Sequence, residues 1–542
     1  MVQANSLPPF IQKLLKVRGI TNPEQFLRPS RWGDIPQPAS EPGVRDVVMR
    51  LADAVRSNQR VAIFGDYDAD GIVGAAILHS VLSLKGLRPK IELPCRTQGY
   101  GLTNEAVHRF SRAGVQLLIT VDNGIAAHDA IRLAYRLGID VIVIDHHFKQ
   151  SDPPQAIVLW NPAHCASTLA FMVAWELAME LDIRPIGPLL SATCRLAAIA
   201  AIADGIPLTG TIRTLVRLGF SSLCATTHPG LQMLLESAGI HGIVRSRDVA
   251  TNICPVLNAP GRIAAPMMAL DMLIEQDKDR ATSLAESLIQ LNHTRRRVQF
   301  GELAHIEYDR SAPAIVAVSE TCLLGIAGPL AANLAESEGK PTIILTKDSE
   351  GGYTGSGRGA AGVDLFAGLN SSASLLSSWG GHSNAVGLSL KAVNLTAFKK
   401  EFISWAAFHC LAPDKPLAET TITLEEYDLA ACSALDAMEP LGPGNPAPLA
   451  RIDNVTVQPL QGSQILVTQG LRSVKMRVDR DFGPMPSTPT SLLLELNGRT
   501  ATVRAVLSAD STLSDLGDSK VSRIARSKIL PLPFMSEWPL AA

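Results

Sequence analysis

The chain is predicted to be an α/β protein built on a parallel sheet and followed by a C-terminal β-barrel. From residue 60, short β-branched runs alternate with helical patterns, which implies parallel strands with helices on both faces. Several of those runs end on acids or imidazoles. Beyond residue 415 the pattern changes to short strands punctuated by PLGPGNPAP at 440–448, which fits a compact OB-type barrel.

The first strands are expected at VAIF (61–64), KIEL (90–93), LLITV (117–121) and DVIVI (140–144), with helices near 72–85, 104–113 and 126–137. VAIFG leads into Asp66, LLITV into Asp122, and DVIVI into Asp145, His146 and His147. Open α/β sheets bind ligands beyond the carboxyl ends of their strands, so these groups should face one crevice. Carboxylates crowded there raise one another's pKa unless a cation lies between them. Asp66, Asp68 and Asp70 alternate in GDYDADG, and Gly71 lets a helix start close by. Carboxylates with one or two imidazoles suit Mn2+ or Mg2+. Two such ions, about 3.5–4 Å apart, can activate water and steady an in-line phosphoryl displacement.

Blander explanations compete with this one. D-x-D-x-D-G also opens an EF-hand loop, but position twelve must then be Glu and here is Ile77. Asp122 alone could be a turn residue; adjacent histidines after a buried strand are harder to dismiss. His108 and His128 lie on predicted helices as surface or packing residues, and Arg295–Arg297 in NHTRRRVQF read as a solvated helix face.

At 542 residues, three or four structural units are expected. Apolar residues make up 46% and charged residues 18%, which argues for a folded chain. Lys plus Arg number 49 against 51 Asp plus Glu, so a nucleic-acid site would have to be a local basic patch. Eight scattered cysteines without a C-x-x-C pair suit reduced thiols in a cytoplasmic protein. The first twenty residues carry no expected export signal. The densest apolar run, 196–203, is too short to cross a bilayer, so no membrane span is expected.

GDYDADG (65–71), VDNG (121–124), DHH (145–147) and AIADGIPL (201–208) stand in the order of the four motifs of DHH-superfamily phosphoesterases, which the chain resembles. That resemblance implies metal ligands at Asp66, Asp68, Asp70, Asp122, His146 and Asp204, and catalytic groups at Asp145 and His147, with His147 nearer the scissile phosphate. PVLNAPGR (255–262), TGSGRG (354–359) and GGHSNAVG (380–387) resemble the substrate cleft of the RecJ branch and its DHHA1 domain. They imply substrate contacts at Asn258, Arg262, Ser356, Arg358, Gly380, Gly381 and His382, joined by Arg96 of PCRTQGYGL (94–102). Glycines there would let backbone N–H groups approach a phosphate; as isolated features they would be tight turns.

The fold so implied is a parallel-sheet DHH domain plus a DHHA1 α/β domain, a helical connector and a C-terminal OB-like β-barrel. Its expected spans are an N-terminal helical arm at 1–45, the DHH domain at 46–210, the connector at 211–300, the DHHA1 domain at 301–412 and the barrel at 413–542. The activity implied is two-metal hydrolysis of single-stranded DNA from its 5′ end, with a single-strand-binding protein or helicase as a partner. The chain departs from the RecJ pattern around CLLGIAGPL (322–330), where a phosphate-binding arginine is missing. PCRTQGYGL is a residue short, and the loop after NPAHC (161–165) is trimmed. Two rival expectations are a phosphodiesterase of short oligonucleotides and a non-catalytic scaffold.

Overall fold

The structure, a computed structural model, describes residues 7–96, 99, 101–149, 152–360, 363–409, 418–461, 463–478, 490–498 and 500–507. Thr97, Gln98 and Tyr100 of PCRTQGYGL, the first six residues of the expected arm and the expected barrel beyond residue 507 lie outside them.

Strands β1 (Val61–Gly65), β2 (Lys90–Glu92), β3 (Leu117–Val121), β4 (Asp140–Asp145) and β5 (Ile157–Trp160) form a sheet in the order β2-β1-β3-β4-β5. Every pairing in it is parallel. Successive side chains point to opposite faces, so Val61 and Ile63 join one core and Ala62 and Phe64 another. Helices Val44–Arg56, Ala69–Ser83 and Ala166–Glu180 cover the first face, and Asn104–Arg112 and His128–Arg136 the second. The strand order reverses between β1 and β3, and a ligand crevice is expected at that point. β5, not anticipated from the sequence, extends the sheet beside β4.

The apolar stretch read at 196–203 belongs to a longer helix, Ile186–Asp204, of 19 residues, long and apolar enough by length and composition to cross a membrane. It packs against Ala69–Ser83, Ala166–Glu180 and Gly210–Cys224. Its last residue, Asp204, thereby arrives at the end of the first sheet.

A second, mixed sheet takes the order β6-β7-β8-β10-β9, from β6 (Ile315–Ser319), β7 (Thr342–Lys347), β8 (Tyr353–Arg358), β9 (Ser378–His382) and β10 (Ala385–Leu390). TGSGRG and GGH are therefore strand segments and not turns. β8 is paired on both sides, so its N–H groups serve the ladder. Its glycines make room for neighbours: a Cβ on Gly355 would lie 2.0 Å from the Ile344 carbonyl oxygen, and one on Gly357 2.7 Å from Val386. Gly381 adopts φ +130°.

The C-terminal unit comprises β11 (Thr420–Thr421), β12 (Leu449–Pro459), β13 (Gln464–Gln469), β14 (Arg472–Val478), β15 (Thr490–Asn497) and β16 (Thr500–Leu507). β12-β13-β14-β16-β15 closes through a β12–β15 pairing, with β14 and β16 parallel. This is a five-stranded OB-like barrel. ITLEEYDL (422–429), one of the short strands expected beyond residue 415, is a turn leading into helix Leu429–Asp436. Thr423 and Glu426 bond each other's backbone, and Asp428 caps the helix by accepting from Ala431 N at 2.8 Å.

The N-terminal segment docks on this barrel. Phe10, Ile11, Leu14 and Leu15 of helix Pro9–Val17 share one core with Leu424, Ile452, Val467 and Leu494. Arg18 donates to both Glu419 carboxylate oxygens, at 2.7 and 2.9 Å, and to Asn445 Oδ1 at 3.2 Å. Arg213 reaches from helix Gly210–Cys224 to the Met438 carbonyl at 2.8 Å and lies 4.1 Å over the Phe26 ring. The arm, the barrel linker and the first connector helix are thus clasped together. With the Arg18 and Glu419 side chains only 9% and 20% exposed, Arg18→Ala should cost about 3–5 kcal/mol, read as a lowered urea midpoint. An unchanged midpoint would show that the arm does not brace the barrel.

Candidate metal centre and cleft

Each predicted ligand is delivered by a different local device. Gly71 lets helix Ala69–Ser83 start against the end of β1, since a Cβ there would lie 2.3 Å from Asp66 N. Asp68 caps that helix, accepting from Asp70 N at 3.0 Å and Gly71 N at 3.3 Å. Asp70 is held at the N-terminus of helix Ala166–Glu180, accepting from Ala166 N at 2.7 Å and Ser167 N at 2.9 Å, where the helix dipole favours an anion. Asp122 has φ 64°, a left-handed conformation that Asp tolerates better than most residues. Asp204 ends its helix, and Gly205 follows at φ 72° as the C-cap.

These groups converge. His146 Nε2 lies 3.2 Å from Asp122 Oδ1 and 3.8 Å from both Asp70 Oδ2 and Asp204 Oδ2. Three sets of potential ligand atoms lie within 4.8 Å of one another: Asp66, Asp68 and Asp122; Asp70, His146 and Asp204; and Asp122, His146 and His147. The first two sets share no residue and the third overlaps both, so two adjacent ions can be accommodated. Asp66 Oδ1 is buried without a hydrogen-bond partner, and a hard cation would satisfy it. The donor set of carboxylates and imidazole fits manganese or magnesium.

The electrostatics agree. Burial and the neighbouring acids push Asp66 and Asp122 well above the usual carboxylate range. Burial, with repulsion from Asp70 and Asp68, raises Asp204 to about 8. His146 is lowered, chiefly by burial, which favours the neutral imidazole that ligates metal.

Asp145 is placed as a support. Its Oδ1 accepts from His146 N, His147 N and His147 Nδ1 at 2.7, 3.1 and 2.8 Å, and its Oδ2 from Ile125 N at 3.0 Å. It therefore orients His147. Burial alone would lower His147, but the Asp145 hydrogen bond and charge raise it to about 9. The His147 ring stacks with that of His382, with centroids 5.9 Å apart and planes at 22°. That contact brings the edge strand of the second sheet over the carboxylate and histidine cluster.

Arginines form the rim of the same cleft. Arg96 stacks 4.0 Å over the Tyr67 ring, and its Nε donates to the Gly261 carbonyl at 3.0 Å. Arg262 Nη1 donates to the Gly325 carbonyl at 3.0 Å. A Cβ on Gly328 would lie 3.0 Å from Arg358 Nη2, so Arg262 and Arg358 rest on adjacent turns of helix Leu324–Glu338. Asn258 instead accepts from Ala69 N at 2.8 Å, tying the connector to the ligand-bearing helix. Ser356 is half-buried in β8, and Gly380 and Gly381 lie on β9.

The sequence reading missed three supports: Tyr67, Ser167, and the small residues of GIAG at 325–328. Only the last had a visible signal, small residues spaced one helical turn apart. Arg295, expected on a solvated face, is 8% exposed and bonded to Asn292 and Gln299.

Residues 60–201 match the DHH family, N-terminal domain, and residues 312–407 the DHHA1 domain. The single-stranded-DNA-specific exonuclease RecJ of Escherichia coli is 30% identical over 78% of this chain and 80% of its own length. That of Dickeya dadantii is 31% identical over 73% and 75%. The chain spans 59% and 61% of the lengths of the Bacillus subtilis and Thermus thermophilus RecJ proteins. The structure of T. thermophilus RecJ with Mn2+ superposes with TM-score 0.81 at 26% identity, covering 94% of this chain and 77% of that one. A manganese-bound exonuclease RecJ structure gives 0.58 at 31% identity, covering 70% and 96%.

Acids raised in the folded state favour folding at low pH, so ion-free stability should fall as pH climbs from the ordinary carboxylate range through about 8. Mn2+ needs the ionised cluster, so its stabilisation should grow across the same window. Thermal unfolding with and without Mn2+ should show a larger shift at about pH 9 than at about pH 6; an equal shift would mean that these acids do not hold the ion.

Proposed function

This chain belongs to the RecJ family, and on that premise we propose that it is a metal-dependent exonuclease that degrades single-stranded DNA from the 5′ end to mononucleotides, in DNA repair and recombination. The observation that carries this reading is the His147–His382 stack, which sets the phosphate-binding strands of the second α/β unit against a cluster built for two divalent ions. Asp66, Asp68, Asp70, Asp122, His146 and Asp204 would hold Mn2+ or Mg2+, which lower the pKa of bound water and offset charge on a phosphoryl group.

The chain's own residues supply the rest. Arg96, Arg262 and Arg358 bind the non-bridging oxygens of the terminal nucleotide by charge-assisted hydrogen bonds, with Ser356, Gly380 and Gly381 lining the same path. Asn258 keeps the connector in place beneath it. His147, oriented by Asp145, and His382 flank the scissile phosphate, where a cationic imidazole offsets developing charge.

The barrel fits a single strand. Its β13–β14 face sets Leu466 beside Lys475 and Gln464 beside Arg477, and the one aromatic residue among the described residues of 418–507, Tyr427, is buried. Phosphate contacts therefore dominate over base stacking there. We divide the chain into an arm (1–45), DHH domain (46–210), connector (211–300), DHHA1 domain (301–412) and barrel (413–542). A single-strand-binding protein or a helicase would supply the strand. A cytoplasmic setting suits the thiols, which form no disulfide among the described residues.

With Mn2+, strands labelled at the 5′ end should lose label at once as mononucleotide, while 3′-labelled strands shorten gradually. Activity confined to dinucleotides would remove the long-strand reading. Asp122→Ala should lower turnover at least about 1000-fold while the ion-free chain still folds, since loss of a buried, repelled carboxylate offsets the strain of Ala at φ 64°. Turnover within about threefold of wild type would overturn the assigned centre.

A further inference from the structure

Arg295 is a buried charge that the proposed chemistry leaves unused. It sits on helix Lys278–Leu303, where its Nε donates to Asn292 Oδ1 at 3.0 Å and its Nη1 to Gln299 Oε1 at 2.6 Å. Gln299 passes the connection on, its Nε2 donating to Asn333 Oδ1 at 2.8 Å on helix Leu324–Glu338. That helix also receives Arg262 at Gly325 and Arg358 at Gly328. The short helix Pro260–Ile263, which carries Arg262, packs against both long helices. Arg295 thus lies at the three-way seam behind the phosphate-binding arginines.

Among the described residues, its surroundings lack a counter-charge. Arg18 and Arg245 pair with Glu419 and Asp436. Arg213 is ringed by the carbonyls of Phe26, Ala437, Met438 and Pro440 and feels the charge of Glu439. Arg295 has two neutral amide oxygens as partners, and among the described residues none of Arg96, Arg262, Arg295 and Arg358 forms an ion pair with a carboxylate. Arg262 feels the repulsion of the other three. A buried guanidinium without an acid is unfavourable in the free protein, and a polyanion arriving at the rim offsets it.

We propose that Arg295 is a positioning residue for the DNA backbone, a fourth, buried arginine that keeps the connector in register with the second α/β unit and adds uncompensated positive charge behind Arg262. It does not touch the substrate. The proposal rests on the single-strand reading above and assigns that site a residue outside the motifs that define it.

The test is binding of a 5′-phosphorylated single strand to the ion-free protein, where nothing is cleaved, by fluorescence anisotropy over a salt series. Gln299→Glu sets a carboxylate where Arg295 already donates and, with the Asn333 amide turned so that its Nδ2 donates to the other carboxylate oxygen, neutralises the charge with little change in shape. It should weaken binding about 5- to 20-fold at low salt and shrink the slope of log affinity against log salt by a fraction of the ~0.7 that one direct phosphate contact carries, with unfolding temperature held or raised. Arg295→Met should lower the slope equally, and Arg295→Lys should restore it. A wild-type slope in Gln299→Glu with unchanged affinity would overturn the proposal and leave Arg295 a structural residue. Failure of the wild-type protein to bind the strand would instead remove the single-strand reading itself.

Discussion

Mutual repulsion among buried carboxylates governs this molecule. Asp66, Asp70 and Asp122 are all nearly inaccessible to water, and Asp68 and Asp204 stand with them around one imidazole. Such crowding is unfavourable for a bare fold, and the surrounding structure bears it through backbone N–H groups. Asp70 takes two from a helix N-terminus, Asp68 takes two from its own helix, and Asp145 takes three backbone donors and one ring donor. Asp66 keeps an oxygen that no donor reaches. The first sheet therefore reads as a scaffold for negative charge, and the second unit as its positive complement.

The first α/β unit was legible because parallel strands buried on both faces leave long apolar runs that end abruptly at polar residues. β1, β3 and β4 stand out in this way. β5 did not, since Ile157–Trp160 is short and half-buried. Helix Ile186–Asp204 was read too short because Arg195 interrupts the apolar pattern, yet that arginine stays within the helix and bonds back to the Ser191 carbonyl at 3.3 Å and across to Thr226. ITLEEYDL has strand-like alternation, but local side-chain bonds to the backbone won over pairing.

At the candidate site, the acids that follow strands could be proposed from position alone, whereas Asp204 could not, because it closes a helix that starts 18 residues earlier on the far side of the core. The glycine-rich segments were recognised as special for a reason that the structure changes. They clear neighbouring strands and a histidine-bearing edge, a three-dimensional need that no local turn signal conveys. The burial of Arg295 was equally invisible: in NHTRRRVQF all three arginines look alike, and only the arrival of helix Leu324–Glu338 on one side separates the first from the other two.

The clasp between helix Pro9–Val17 and the barrel has a consequence for how the chain is made. Leu14 and Leu15 share their core with Ile452, Val467 and Leu494, residues more than four hundred positions downstream. During synthesis this helix must wait with its greasy side uncovered until the barrel strands have followed it. A helix made well before the barrel is sheltered only after it, and that interval is when a growing chain is most open to chaperones and proteases.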